Sequence, residues 1–370
     1  MADQMAPEPT EEDPRRPMTE DELLVYVNRA IESAVIYEHD DLTAENQRAI
    51  EYFHGEMHDV PSEPGRSRAV SKDVSDVIGG LMPQVMRVFT ASDHVWRFEP
   101  RTPQDTEAAR QADVYVNHVF LDQCDGYGVL YGAVHDGFLV RNGVIKVWWH
   151  DAPEFDVAEY HNMSEAMVEQ VAASDDVEVL EFAEAEPESV EQTDPASGQT
   201  FQVMERRFDL KTKTKVRDGT VCCMAIPPED FLVERGVRSL ADARFLSHRE
   251  RRTRSELIDE GYDRDLVMEL PEYASFYDRE EAIARHQDRA YDLARTDILD
   301  DAAEYVEVFE SYVQLDLNGD GVTEWVKVVT AGTGGAAKLL DATEWDDEHP
   351  FVDIVPDPVP HRRLGRSIWD

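Results

Sequence analysis

Apolar residues between Thr102 and His150 follow two different periods, which predict two helices and a strand. Thr102 suits a helix N-cap, and Pro103 suits the first helical position. The apolar positions that follow recur every three or four residues, as on one face of an α-helix: Ala108, Ala112, Tyr115, Val116, Val119 and Phe120. Asp113 and Asn117 are therefore expected on the opposite face, toward solvent.

A second helix is predicted from about Tyr127 to Val140. Asn142-Gly143 is a tight-turn signal. Residues 144–149 then alternate as in a strand, which places Ile145, Val147 and Trp149 on one face. Together these elements predict a packed α+β unit without a chemically reactive group.

Three further helices are predicted before this unit. The sequence Thr19-Glu-Asp-Glu22 is a capping box for the first. Thr43 and Gly55 bound the second, and residues 71–91 form the third, with a bend expected at Pro83. A short strand is predicted at residues 95–100.

After His150 the patterns alternate between strands, helices and polar stretches. The predicted elements are strands at 156–160 and 177–182, a helix at 164–173, an acidic surface loop at 184–198, and an antiparallel hairpin of 201–216 with 220–226 around the turn Arg217-Asp-Gly219.

The C-terminal third begins with a capping box, Thr253-Arg-Ser-Glu256, and a helix that ends at Gly261. The remaining predictions are a short helix at 262–270, a solvated helix or mobile linker at 280–304, strands at 306–315 and 322–330 around a turn at 316–321, an extended stretch at 351–359, and the first turn of a helix at 365–370.

The charge is strongly negative, with 79 acidic against 36 basic residues and a net charge of −43. Residues 151–200 contain fifteen Asp or Glu and no Lys or Arg. Such a surface repels the phosphates of nucleic acids, so tight nonspecific DNA binding is not expected without a local basic patch. Only seven residues are Lys against 29 Arg, which fits either a high-salt host or a biased genome composition.

No apolar run approaches the roughly 18–20 residues that span a bilayer. Residues 1–18 predict a disordered acidic tail rather than a signal peptide. The three cysteines, Cys124, Cys222 and Cys223, form no metal-binding spacing and are expected to be reduced thiols in an intracellular setting.

Two groups of residues have metal-ligand spacing. Asp316, Asn318 and Asp320, followed by Gly321, match the first half of a calcium loop, but position twelve is Lys327 instead of Glu. The same residues favour a tight hairpin turn. His54 and His58 are four residues apart, yet Gly55 stands where zinc-protease helices have Glu, so solvated histidines at a helix end are the competing interpretation.

One dense basic cluster contains Arg244, Arg249, Arg251, Arg252 and Arg254. It could contact phosphate, or it could pair with carboxylates of its own fold or of a neighbouring subunit. No nucleophile motif, paired-carboxylate arrangement or phosphate loop stands out in the sequence. We therefore expect no catalytic residues, no enzyme activity and no cofactor.

Four stretches in this order resemble the portal proteins, or head-to-tail connectors, of short-tailed bacteriophages. The resemblance spans about residues 23–370 and rests on Gly65–Phe89, on Asp113–Phe120 with Arg141–Trp149, on Ile226–Val233 with Asp242–Phe245 and Thr253–Leu257, and on Pro350–Ser367.

The resemblance implies a ring of twelve subunits at one capsid vertex, through which double-stranded DNA is packaged and later ejected. It also implies binding to terminase, to major capsid or scaffolding protein and to head-completion or tail-adaptor proteins, with no membrane. The protein would be part of the virion and would assemble in the host cytoplasm. A conduit fits the acidic composition, because its wall should not hold DNA.

The fold implied is α+β: a wing of helices and antiparallel strands, followed by a small α/β clip-like region. Residues 19–303 would form the wing, with part of a stem within 240–303, and residues 304–360 the clip-like region. Residues 361–370 would begin a returning stem helix, and the second stem helix and crown would be missing. Two other function classes stay open: an intracellular metal-dependent hydrolase that uses His54, His58 or the 316–320 turn, and an acidic binding module of a halophile.

Overall fold

The computed structural model describes residues 16–38, 42–57, 65, 70–92, 94–151, 154–172, 177–193, 200–217, 219–271, 281, 284–285, 301–346 and 348–370. Most of the predicted N-terminal tail, His58 and most of residues 280–304 lie outside this part of the chain. The chain divides into two compact units, Met1–Val147 with Cys223–Asp370, and Trp148–Cys222. It enters the second unit within one strand and leaves it within another.

The described residues contain eight α-helices and eleven strands, which confirms the predicted α+β class. The helices are α1 (Glu20–Glu38), α2 (Ala44–His54), α3 (Asp73–Thr90), α4 (Thr106–His118), α5 (Gly126–Val140), α6 (Glu165–Ala172), α7 (Arg254–Asp259) and α8 (Arg264–Met268). The strands are β1 (Gly143–His150), β2 (Glu154–Ser164), β3 (Val177–Thr193), β4 (Thr200–Arg217), β5 (Thr220–Ile226), β6 (Phe231–Val233), β7 (Phe245–Thr253), β8 (Tyr305–Leu315), β9 (Glu324–Ala331), β10 (Lys338–Glu344) and β11 (Phe351–Ile354).

The strands form three sheets, ordered β11-β1-β5, β10-β9-β8-β7-β6 and β2-β4-β3. The strand pairs with a resolved register are antiparallel. β8 lies at the centre of the five-stranded sheet and is buried on both faces. α1 covers one of these faces through Leu23, Val27 and Ile31. A separate core surrounds α5, whose Ala133 and Val134 contact α2 and α3.

Local signals located several helix ends correctly. Thr253 and Glu256 form the predicted capping box at the start of α7, and Thr102 and Asp105 form another before α4. Gly55 ends α2 in the left-handed conformation at φ 80°. Each of these interactions closes within a few residues, so it depends little on the rest of the fold.

The predicted strand at residues 95–100 is wrong, and so is the predicted outer face of α4. Residues 96–100 belong to no strand. The Asn117 carboxamide is buried and accepts hydrogen bonds from the backbone N–H groups of Val95 and Trp96, at 2.6 and 3.1 Å. Tyr115, predicted to face the core, is 66% exposed. The polar side of α4 therefore binds the segment before the helix. Its side chains accept hydrogen bonds from backbone N–H groups that have no partner strand.

The predicted hairpin of 201–216 with 220–226 is also wrong. β4 lies between β2 and β3, whereas β5 pairs with β1 in another sheet. The acidic residues 184–193, predicted as a loop, continue β3 and pair with β4. A turn signal marks a change of direction, but it does not decide which strands pair.

One further predicted face differs from the structure. In β1, Ile145 is buried, but Val147 and Trp149 are 40% and 55% exposed.

Residues 365–370 are not helical in the structure. Ser367 and Asp370 nevertheless exchange the two hydrogen bonds of a capping box, at 3.0 and 3.2 Å. A stem helix beginning here stays a prediction, as do the wing-like and clip-like boundaries at 19–303 and 304–360.

Candidate functional site

The arginine-rich cluster lies on and beside β7, the second strand from one edge of the five-stranded sheet. Arg249 and Arg254 are buried. Arg249 donates to the Glu229 carbonyl at 2.6 Å. Arg254 forms an ion pair with Glu304 and donates to the Leu270 carbonyl at 2.9 Å. These two side chains are therefore held inside the fold.

The other three arginines lie nearer the surface. Arg252 pairs with Glu250 at 2.8 Å and also with Glu260. Arg244 is exposed and lines an open groove of about 930 Å³ together with Arg16. Arg251 is exposed as well. As contacts to phosphate or to a neighbouring subunit, the five arginines stay a prediction.

A buried ionic network joins β1 to β7 and β8, and sequence reasoning missed it. Lys146 is only 2% exposed. Its Nζ donates to Glu310 Oε2 at 3.0 Å and lies 3.9 Å from Glu250 Oε1. Nδ1 of His248, also buried, lies 2.7 Å from the same Glu250 oxygen. The only signal in the sequence was a lysine inside an otherwise apolar strand.

The network shifts the titration of its members. Burial by itself would raise the pKa of Glu250, but His248, Lys146 and Arg252 together hold it far below its ordinary value. Burial by itself would also raise the pKa of Glu310, but the charges of Lys146 and Lys327 lower it below its ordinary value. Tyr312 donates its hydroxyl to Glu310 at 2.6 Å. The Tyr312 pKa is raised, first by burial and then by that carboxylate.

This arrangement supports packing rather than catalysis. Lys146 lies within ion-pair distance of both Glu250 and Glu310, and the Tyr312 hydroxyl is already bonded. A buried set of matched charges is costly to break, because removal of one member leaves another uncompensated. Its chemical effect is to fix β1 against the neighbouring sheet.

Two other long-range clusters were invisible in the sequence. Arg141 pairs with Asp370 at 2.8 Å and with Glu45 at 2.5 Å. Arg285 makes a two-pronged pair with Glu229, at 2.9 and 3.0 Å, and a 2.7 Å bond to Asp136. The Arg285 interactions explain how Glu229 and Asp136 can be buried.

The proposed calcium-loop residues form a tight turn between β8 and β9. The Asp316 carboxylate accepts backbone N–H bonds from Gly319, Asp320 and Gly321, at 2.6 to 3.0 Å. Asp316, Asp320 and Glu324 bring one carboxylate oxygen each within 4.8 Å of one another. Glu324 was not among the predicted ligands. The structure thus contains the predicted turn, and Asp316, Asn318 and Asp320 as metal ligands stay a prediction.

His54 lies at the end of α2, with its ring edge-on to Phe53 at a centroid distance of 5.3 Å. Partial burial lowers the pKa of His54. Since His58 lies outside the described residues, the ligand pair His54 and His58 is untested. The cysteines Cys124, Cys222 and Cys223 form no disulfide.

Large apolar side chains are exposed at many positions of the described residues. Exposed side chains include Val88 at 75%, Tyr115 at 66%, Met204 at 63% and Phe182 at 57%. Aromatic residues and methionine are among the residue types enriched where subunits meet. No helix in the described part of the chain combines the length and apolar character that a membrane crossing requires.

The chain matches a known protein family. The family model described as phage SU10 portal protein matches residues 23–370. The chain belongs to this portal family. A search of curated proteins found no match.

The match confirms the resemblance read from the four sequence stretches. Portal proteins are in general structural components of the phage capsid that assemble as rings. As a member of this family, the chain shares that general description.

Proposed function

We propose that this portal protein forms a ring of twelve subunits at one capsid vertex, through which double-stranded DNA is packaged and later ejected. The observation that carries the proposal is the family match over residues 23–370. In the same proposal the ring binds terminase, major capsid or scaffolding protein, and head-completion or tail-adaptor proteins. It acts as a conduit and not as an enzyme.

Charge supports the role of a conduit. A net charge of −43 opposes contact with phosphates. Buried Arg249 and Arg254 are turned to groups of the same chain, so they do not add to a basic groove. DNA can move past such a wall without the release of counterions that accompanies tight binding.

The exposed apolar side chains support self-assembly. Interfaces between subunits are enriched in aromatic residues and methionine, and Tyr115, Phe182 and Met204 are of this kind. An isolated copy with these groups in water is less favourable than an assembly that covers them.

Negative-stain electron microscopy of the protein expressed from its natural gene tests the proposal. Rings with a central hole are the expected result, and class averages give the number of subunits. Discrete monomers at both low and high salt would contradict it. Pull-down of terminase and of head-completion proteins from the same phage, by rings and by a matched disassembled sample, tests the partners separately.

A further inference from the structure

The compact unit Trp148–Cys222 has little core of its own. Its three strands form the sheet β2-β4-β3, against which α6 packs. Among the side chains that the structure describes in this unit, only Phe208 and Leu210 are both apolar and buried. Other large apolar side chains of the sheet are 39% to 63% exposed: Phe155, Val157, Tyr160, Phe182 and Met204.

One side of this sheet carries aromatic residues. Tyr160 and Phe182 lie opposite Leu210 in register, so these side chains share one side. The Phe182 ring stacks on Phe208, with 5.1 Å between the ring centroids. Met204 lies on the same side of β4, because side chains alternate along a strand. We call this side the aromatic face.

The opposite side carries a row of lysines: Lys211, Lys213 and Lys215 alternate along β4 and are three of the seven lysines in the chain. Val157 and Phe155 lie opposite Lys213 and Lys215 in register. The Lys213 ammonium is 3.9 Å from the centre of the Phe155 ring. We call this side the lysine face. Antiparallel sheets commonly bury one side and keep the other polar, whereas this sheet exposes large apolar groups on both.

The edges of the sheet are unsuitable for pairing with a second copy. β2 and β3 are the edge strands. Both expose carboxylates: Asp156 and Glu159 on β2, and Glu178, Glu181, Glu184, Glu186 and Glu188 on β3. Charged side chains on an edge oppose the addition of a strand, and like charges that meet across two strands repel. The faces, rather than the edges, are therefore the surfaces through which copies can meet.

The charges on each face are matched within the copy. On the lysine face, Lys211 pairs with Glu159 at 2.8 Å. On the aromatic face, Arg206 pairs with Glu184 at 2.8 Å. Two copies with a net charge of −43 each repel one another over most of their surface. Such repulsion is smallest where opposite charges are already paired.

A ring needs two different surfaces on each copy, because a head-to-tail contact joins unlike patches. The two faces of one sheet supply them: rings and a methionine on one side, and Phe155, Val157 and aliphatic lysine stems on the other. Lysine stems can cover apolar surface while the ammonium group stays in water.

We propose that the aromatic face of one copy binds the lysine face of the next copy in the ring. Phe182 and Met204 of one copy then become buried against Phe155 and Val157 of its neighbour. The inference rests on the proposed function for the existence of a ring, and it adds the surfaces that join the copies.

One variant on each face tests the proposal: Met204→Glu on the aromatic face and Val157→Glu on the lysine face. Both side chains are more than half exposed, so the fold should tolerate the changes, as circular dichroism can check. A new charge at the centre of a contact is unfavourable. Mass photometry should show rings for the natural protein and loss of rings for either variant. Gln170→Glu, which adds the same charge at an exposed position of α6, should keep them.

A mixture of the two variants tests the head-to-tail arrangement. The Met204→Glu copy keeps its lysine face and the Val157→Glu copy keeps its aromatic face, so one contact can form and no ring can close. After glutaraldehyde crosslinking, the mixture should contain dimers that neither variant gives alone. No excess of dimer in the mixture would overturn the proposal.

Rings that persist in both variants would also overturn it, would leave the two faces to a different protein partner, and would leave the proposed function standing. A natural protein without rings would overturn both. If either variant does not fold, Phe182→Glu or Phe155→Glu on the same face takes its place.

Discussion

Asn117 shows how a single polar side chain can take the place of a strand. Its carboxamide accepts from Val95 and Trp96 and donates to the carbonyl groups of Trp96 and Asp113, at 2.8 and 2.7 Å. The N–H groups of Val95 and Trp96 are thus bonded although these residues join no sheet. The helical face that was predicted to face solvent therefore forms hydrogen bonds with the backbone of the preceding segment.

We expect Asn117→Ala to lower the free energy of unfolding by about 1 to 3 kcal/mol, because two part-buried backbone donors lose their acceptor. Tyr115→Ala, at an exposed position, should change it by about 0.5 kcal/mol or less. Urea unfolding of both variants measures the difference. A larger loss for Tyr115→Ala would support the face predicted from sequence periodicity.

Glu310 is a second case in which one side chain matters, because its carboxylate accepts from buried Lys146 at 3.0 Å. We expect Glu310→Gln to cost up to about 3 to 5 kcal/mol, because buried Lys146 loses its partner at 3.0 Å and keeps only Glu250 at 3.9 Å. Glu344→Gln, on the exposed side of β10, is the matched control. Urea unfolding at pH 7 compares the two, and equal stability would show that the network contributes nothing.

The pH dependence follows from the lowered pKa values of Glu250 and Glu310. A carboxyl group whose folded pKa is lowered contributes stability above its unfolded value of 4.5, and this contribution is lost as the pH falls toward the folded pKa. The free energy of unfolding should therefore decline below about pH 4.5. Glu310→Gln should decline less steeply than the natural protein, and identical slopes would contradict this assignment.

At the scale of elements, α5 and β1 are joined so closely that the junction allows only glycine. A Cβ atom on Gly143 would lie 1.8 Å from the Ala133 carbonyl oxygen. The backbone of β1 can therefore pass α5 only without a side chain at this position. Such proximity explains why the helix–turn–strand segment behaves as one packed unit.

Gly143→Ala should destabilise the protein by at least about 3 kcal/mol, because backbone must move to accept the methyl group. Gly79→Ala is the control: a Cβ there meets nothing within 4 Å. Since it lies within α3, alanine should stabilise by up to about 1 kcal/mol. Thermal unfolding distinguishes the two, and a neutral Gly143→Ala would show that β1 and α5 can separate.

The β8–β9 turn is a second element whose stability rests on one side chain. Asp316→Ala removes the acceptor of three backbone N–H groups and should cost about 1 to 3 kcal/mol. Unfolding in a chelator and in calcium, with magnesium as the control, asks whether the turn also binds metal. A midpoint that rises with calcium in the natural protein and not in Asp316→Ala would support Asp316, Asn318 and Asp320 as ligands.

At the scale of the whole molecule, charge governs encounters with DNA. Proteins that bind DNA nonspecifically reach dissociation constants of about 10⁻⁴ to 10⁻⁶ M at physiological salt. With a net charge of −43, this protein should bind more weakly than that range. Fluorescence anisotropy with a labelled duplex measures it at several salt concentrations. Tight binding that weakens steeply with salt would contradict a non-adhesive conduit and would point to the arginines of β7.

The sequence by itself determined what is local in this protein: the α+β class, most helix positions, the capping boxes and the 316–321 turn. These features depend on neighbours within one or two turns of chain, so periodicity and residue type are sufficient to predict them. The family could also be read from the order of four stretches. By contrast, the candidate sites could be predicted only as residue types.

Tertiary structure alone decided which strands pair, which side of α4 is used and which charges meet. The Lys146 partners are 102 and 164 residues away in the chain, and no local pattern encodes such a distance. An apolar or charged position shows that a partner is required, but the partner depends on how distant segments pack. For that reason the β4–β5 hairpin was predicted wrongly.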